Sequence, residues 1–416
     1  MEKPGGDAVH LNHIPDGNDC HLLRKIDFFL MPLLIITFML QYVDKVILNG
    51  ASQFGIIEDL DLYTVQGYTP GPDPQPVLDL QRYSNATLIF YWGCVTGLLP
   101  AAWLAQRLPI GRYLACTVIA WGVVVMLTVV VGGYHGFLAQ RFFQGVVECA
   151  NPASAKFLKP EERLAAVERI RLEQTGIENK EFKLYQIKEL LRDPVTWILL
   201  PTTFCLHFAN GGISGFGSVI ISSFGYSSFQ SVLMTGAVGG GVFVTCSIVG
   251  ITGTFFKDCR TWLVIACEAC VVLGACLMWK LNWDTQRAGA IFGFVICGCF
   301  AGGYMMILAL AGANIAGHTK KTFISGLLWC AWAISNGVAP LTIKKPEAEE
   351  HYPTCFLAII VTAAVAICGA ALLRGYLMLE NKRRDREYGP VDQAAAMRLG
   401  FEDKTDRENE LFRYSL

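Results

Sequence analysis

TCFLAIIVTAAVAICGAALLRGYL, residues 354–377, runs through twenty residues before its first charged side chain, Arg374. A helix rises about 1.5 Å per residue and the hydrocarbon slab is about 30 Å thick, so about 20 such residues cross it. Nine further blocks have this character, near residues 29–49, 86–105, 113–133, 136–154, 195–221, 231–255, 261–280, 288–310 and 322–342. Only 17% of the 416 residues are charged, against 53% hydrophobic, and the apolar ones are gathered into these blocks. Soluble folds do not repeat that segregation ten times. The expected fold class is an all-α polytopic membrane protein with about ten transmembrane helices, and transport of a small solute is the function that fits it.

Other classes fall away on composition. A net charge of −1 offers no basic surface for a nucleic-acid partner. Most of the 15 cysteines lie inside apolar blocks, and Cys267 and Cys270, though spaced CxxC, have no second ligand pair. Small packing residues describe them better than a metal or disulfide framework. The seven histidines form no cluster with acidic groups, so a membrane metalloenzyme is not expected, nor any metal or cofactor. Residues 1–27 are polar and the first block is long enough to stay in the membrane, which argues against a cleaved signal.

Lys and Arg set the orientation. With the N-terminus inside, segments 1–28, 106–112, 155–194, 256–260, 318–321 and 374–416 hold 27 of the 34 basic residues. The division that follows is a cytoplasmic tail (1–28), a four-span bundle (29–154), a cytoplasmic linker (155–194), a six-span bundle (195–377) and a cytoplasmic tail (378–416). In the linker, Pro160, Glu161 and Glu162 suit a helix's first turn, and Phe182 to Arg192 is a second amphipathic piece ending before Pro194. The Pro-rich run Thr69 to Pro76 in the first outside loop should not pack. The sequon Asn85-Ala86-Thr87 abuts the membrane and is not expected to carry sugar. The tail beyond Arg374 is expected to be mobile, with Lys382, Arg383, Arg384 and Arg386 at the membrane surface, either as an orientation anchor or against anionic lipid.

Ionisable groups inside spans are costly, at about 2.5–3.5 kcal/mol each on insertion scales, and therefore informative. The first span holds Asp44 and Lys45. The fourth holds Arg141 and Glu148, seven apart on one helix face, with Gln144 between them. Arginine stays charged and offers a planar fork to carboxylates, whereas a glutamate can take a proton. A fixed cation with a titratable acid is what a proton-coupled anion importer needs; a structural charge pair is the competing reading. His207 and Asn210, beside Gly211, Gly212 and Gly217 in the fifth block, are candidate substrate or proton contacts, with a packing role equally open for the histidine. Glu268 is an isolated carboxylate in the seventh block.

Tyr42-Val43-Asp44-Lys45, Pro100 to Pro109, Arg141 to Glu148, Ala155-Lys156-Phe157-Leu158 and Gln174 to Lys180 in the linker, and Asn210-Gly211-Gly212 with Phe216-Gly217 together resemble the fungal allantoate permease family of anion:cation symporters, within the major facilitator superfamily. That resemblance implies two six-helix bundles with a site between them at mid-membrane. It implies a plasma-membrane importer of small organic anions of the allantoate, ureidosuccinate, vitamin or small-peptide type, driven by protons, acting as a monomer in contact with membrane lipid. By position, Asp44, Lys45, Arg141 and Glu148 match the family's charged residues. The departure is at Asn151-Pro152-Ala153-Ser154, which runs straight into Ala155-Lys156-Phe157-Leu158 where the family has two further helices. Ten spans instead of 12 then leave a second reading open: a truncated, non-transporting member of the same fold.

Overall fold

The computed structural model describes residues 47–68, 76–107, 110–148, 183–256, 258–283, 285–348, 350–389 and 404–416, with positions 28, 32, 36, 39–40 and 42–44 of the first span. The described positions of that span are helical through Ala51. Three helices follow in the first half: α1 (Gln81–Arg107), α2 (Ile110–Met126, continued by a 3-10 turn to Val130) and α3 (Tyr134–Glu148). After α4 (Leu184–Arg192) come α5 (Pro194–Ser222), α6 (Ser228–Phe255), α7 (Arg260–Lys280), α8 (Arg287–Cys297), α9 (Phe300–Asn314), α10 (His318–Val338) and α11 (Pro353–Tyr388). Six stretches of this second half are long and apolar enough to cross a membrane, α8 and α9 forming one of them.

Local chemistry explains the boundaries. Asp193 caps α5 by accepting from the Val195 N–H (3.1 Å), and Pro194 occupies the first turn, where no N–H is needed. Ser227 and Gln230 make a reciprocal capping box on α6. Gly225 and Gly317 turn the chain at φ values of 82° and 92°. The stretch 287–314 reads as one apolar block; at Gly298 and Cys299 the backbone stays helical but its hydrogen bonds tighten to 3-10 type, which divides α8 from α9.

In the first half, α1 and α3 cross backbone to backbone. A Cβ added at Gly93 or Gly145 would run into the carbonyl of Phe142 or Phe90, so only glycine permits the approach. In the second half α5 is central, touching α6, α9, α10 and α11. The two halves meet where α1 lies along α10, with Leu88 and Tyr91 against Gly337, Tyr91 against Trp332 (ring centroids 5.5 Å apart) and Leu98 against Gly326. Hydrogen bonds clamp one end of this seam. Tyr83 donates to the Gly215 carbonyl (3.0 Å), Ser84 to the Pro340 carbonyl (3.4 Å), and the Ser218 N–H to Asn49 Oδ1 (3.1 Å).

Two expectations need correction. The flanks of the Pro-rich run do pack, as an antiparallel hairpin of β1 (Thr64–Tyr68) and β2 (Pro76–Asp79); residues 69–75 lie outside the described residues. The segment after Arg374 is not loose along its described length. α11 continues to Tyr388, and residues 404–416 fold back onto the end of the second half that bears α4. Arg384, expected at the membrane surface, is buried and donates to the carbonyls of Asp406, Asn409 and Phe412. Its guanidinium satisfies a returning chain that sequence neighbours gave no reason to expect. Asn85 sits inside α1, half-buried, its amide donating to the Tyr134 hydroxyl (3.5 Å). The first linker helix expected near 160–176 lies outside the described residues, whereas α4 ends at Arg192, as the amphipathic pattern indicates.

Candidate functional site

α3 carries its polar residues on the face turned to the first span and α1. Arg141 is 6% exposed, and its Nη1 donates to Gln144 Oε1 (3.1 Å) one turn on. Gln144, itself buried, donates its amide to Asp44 of the first span, which also accepts from the Trp121 indole N–H of α2 (3.3 Å). Gln144 therefore bridges the cation and the carboxylate, and both Asp44 and Glu148 lie within electrostatic reach of Arg141. The Phe137 ring lies 5.1 Å from the centre of the guanidinium, a cation–π contact that adds attraction without using a donor. Arg141 Nε has no hydrogen-bond partner. A buried guanidinium with an unused N–H is poised for one more acceptor.

Beside Arg141 is a cavity of about 30 Å³, lined from the first half by Asn49, Tyr83 and Tyr91 and from the second by Ser214 and Gly215. That is room for water and not for an organic solute. Both halves contribute to its wall, so a relative movement of the halves changes its size.

The structure keeps Arg141, Gln144 and Glu148 on one face of α3, where their spacing put them, and brings Asp44 of the first span to Gln144, which spacing did not indicate; Glu148 is the last residue of α3 and half-buried. Lys45 lies outside the described residues. Asn210 is one turn from the cavity. It accepts from Ser214 (2.7 Å) and donates to Asn336 of α10 (2.8 Å), so it links two helices rather than facing Arg141. His207 is fully buried, its Nδ1 paired with the Thr203 carbonyl (3.0 Å) and its ring edge-on to Tyr304 (4.1 Å). Both contacts suit a packing role. Sequence reading missed Asn49, Tyr83, Trp121 and Asn336, all neutral and ordinary until the fold places them.

The description Major Facilitator Superfamily matches residues 157–340. An uncharacterised transporter of Schizosaccharomyces pombe is 27% identical over 95% of this chain and 86% of its own length. The allantoate permease of Saccharomyces cerevisiae is 26% identical over 100% of this chain and 89% of its own. The first of these alignments extends over 481 positions, more than the 416 residues of the whole chain, so that relative has at least 65 residues with no counterpart here. Among solved structures, a bacterial homologue of the human lysosomal transporter Spinster, in an inward-facing and unoccupied conformation, superposes with a TM-score of 0.52 at 11% identity, covering 94% of this chain and 99% of that one. Helical architecture, a small polar site shared by two halves and these likenesses agree: the chain is an all-α, multi-pass membrane protein with a fold of the major facilitator type, similar in sequence to fungal transporters.

Proposed function

We propose that the chain imports a small organic anion together with a proton, Arg141 holding the anion's carboxylate. The observation that carries this reading is the unpaired Nε of a buried guanidinium at a cavity both halves line. In a low-dielectric site, charges must stay nearly balanced. Arg141 beside ionised Asp44 and Glu148 has no need of an anion. With a proton on one of these carboxyls, the guanidinium is freed to bind a substrate carboxylate in its place. Anion and proton then enter together, and Gln144 transmits the exchange because it touches both Arg141 and Asp44. Lys45 adds a second cation on the first span.

The seam is hydrogen-bonded at the end bearing Asn49, Tyr83, Ser84, Gly215, Ser218 and Pro340. With 27 of 34 basic residues on the side of the termini, that end is the outer one, and the arrangement is closed to the outside. Rocking of the four-span half (29–154) against the six-span half (195–377), joined by the linker 155–194, would open it. The relative named allantoate permease makes ureido acids, with vitamins and small peptides, the first substrates to try; the plasma membrane is the proposed location. Cells expressing the chain are expected to accumulate labelled allantoate or ureidosuccinate more at acidic external pH, and Arg141→Ala to abolish this. Surface-expressed protein that takes up none of an anion panel would overturn the reading.

A second reading has its own support. The unmatched 65 or more residues of the Schizosaccharomyces pombe relative would hold two spans, and α6 has a bare glycine face where a further helix would pack. On this reading the chain lacks two spans between Ser154 and Ala155 and does not transport. Genomic sequence between those two codons decides it: an in-frame stretch encoding two apolar helices supports truncation, and contiguous codons exclude a dropped exon.

A further inference from the structure

Glu268 lies on α7, away from the anion site. It is fully buried, and neither carboxyl oxygen has a hydrogen-bond partner. A Cβ added at Gly303 of α9 would stand 3.3 Å from its Oε1, next to Leu206 of α5 and Cys267 of α7. The titratable groups that feel it are the thiols of Cys205 on α5, Cys267 and Cys270 on α7, and Cys297 on α8. No basic group among the described residues acts on it. An ionised carboxylate in that place would be an uncompensated charge in an apolar core, which is costly. Even the neutral acid leaves polar atoms unpaired where leucine or methionine would pack without loss.

A second observation lies beside it. Within the spanning stretch 287–314 the hydrogen bonds tighten to 3-10 type at Gly298 and Cys299 (Gly298 N–H to Val295 and Cys299 N–H to Ile296, both 3.0 Å), and Gly303, against which Glu268 rests, is about one turn beyond. Glycine at 303 leaves only hydrogen atoms between the carboxyl and the α9 backbone. A stretch of 3-10 bonding inside a spanning helix often marks a functional hinge.

We propose that Glu268 is a proton-binding site of the six-span half, loaded when α9 is packed against it and discharged when α9 moves at Gly298–Cys299. On discharge the carboxyl O–H bond breaks and the proton passes to a water admitted by that movement; reloading reverses the step from hydronium. The coupling part of this proposal rests on the transport reading above, whereas the protonation itself does not.

The test uses the full chain as wild type, Glu268→Gln and Glu268→Met. Infrared spectra of purified protein at neutral pH are expected to show a protonated-carboxyl C=O band in the wild type that both variants lose. In vesicles, Glu268→Gln, which mimics the neutral acid, is expected to keep anion exchange at equal pH. It should lose one proton's share of the accumulation, about tenfold per unit of pH difference, while the share supplied by the Asp44–Glu148 site remains. Arg141→Ala loses both modes. A band that persists in both variants overturns the proposal, as does gradient-driven accumulation unchanged in Glu268→Gln. If the wild type moves no anion, the transport reading fails and the infrared result alone decides whether Glu268 holds the proton.

Discussion

α10 and α6 both carry glycines on a face that could receive another helix, but only α10 has received one. On α10, a Cβ at Gly337 would meet Leu88 at 2.9 Å and Tyr91 at 3.3 Å, both on α1. On α6, Gly236, Gly239 and Gly240 have nothing within 4 Å among the described residues, while Phe229, Leu233, Phe243 and Phe255 are exposed. Half of α10's spanning window is buried inside the protein, against 11% for α6. Position in the repeat gives the reason. α1 is the second span of its half and packs on α10, the fifth of the other. If the halves are parallel repeats about an axis along the membrane normal, α6 as the second span of its half should pack on a fifth span of the first. The described first half supplies no such helix. The lesson is that burial here is decided by the partner a helix finds, not by its own apolarity.

The largest expected effect tests how firmly α10 is held at its other end. Lys320, in its first turn, is fully buried with Nζ 2.9 Å from Glu189, 2.9 Å from Asp193 and 2.7 Å from Asp406. It joins α4, the start of α5 and the returning C-terminal segment. Lys320→Ala leaves three carboxylates facing one another with only the half-exposed Arg407, 3.4 Å from Asp193, as a cation. A loss of about 3–5 kcal/mol is expected, read as a lowered midpoint of thermal unfolding in detergent and partly restored by adding Asp406→Asn. An unchanged midpoint would mean that the segment does not dock in solution.

A smaller effect is expected in the seam. Gly337→Leu overpacks the contact between α10 and α1, costing about 1–3 kcal/mol and weakening the union of the halves. The smallest belongs to the bare face: Gly239→Leu should change stability by no more than about 0.5 kcal/mol in this chain. The same substitution in a version restored with two spans after Ser154 should cost as much as Gly337→Leu. Equal penalties at 337 and 239 in the present chain would show that α6 already has a partner, and the asymmetry would be lost.

How much of this was legible follows from the range of the forces involved. The block 354–377 marks a span because twenty consecutive apolar side chains are a local property, and α11 does cover it, from Pro353 to Tyr388. Arg141 and Gln144 could be paired from sequence because three residues on a helix separate them by less than one turn. Asp44 could be named as a costly intramembrane charge, yet its partners Gln144 and Trp121 lie 100 and 77 residues away. The 3-10 stretch at Gly298 was hidden because hydropathy does not register a change of hydrogen-bond register. Arg384 misled for the opposite reason: a cluster of basic residues beside a span reads as surface until a distant segment returns to cover one of them.

The sequence by itself determined that the chain enters a membrane as several apolar helices, because transfer into lipid is settled segment by segment, and charge asymmetry supplies the orientation proposed above. Tertiary structure decided which polar groups meet. It placed Arg141 at a cavity lined by both halves, left Glu268 without a partner in the core of one of them, and covered α10 while leaving α6 bare. Those outcomes depend on contacts between helices far apart in the chain, and no local pattern of residues encodes them.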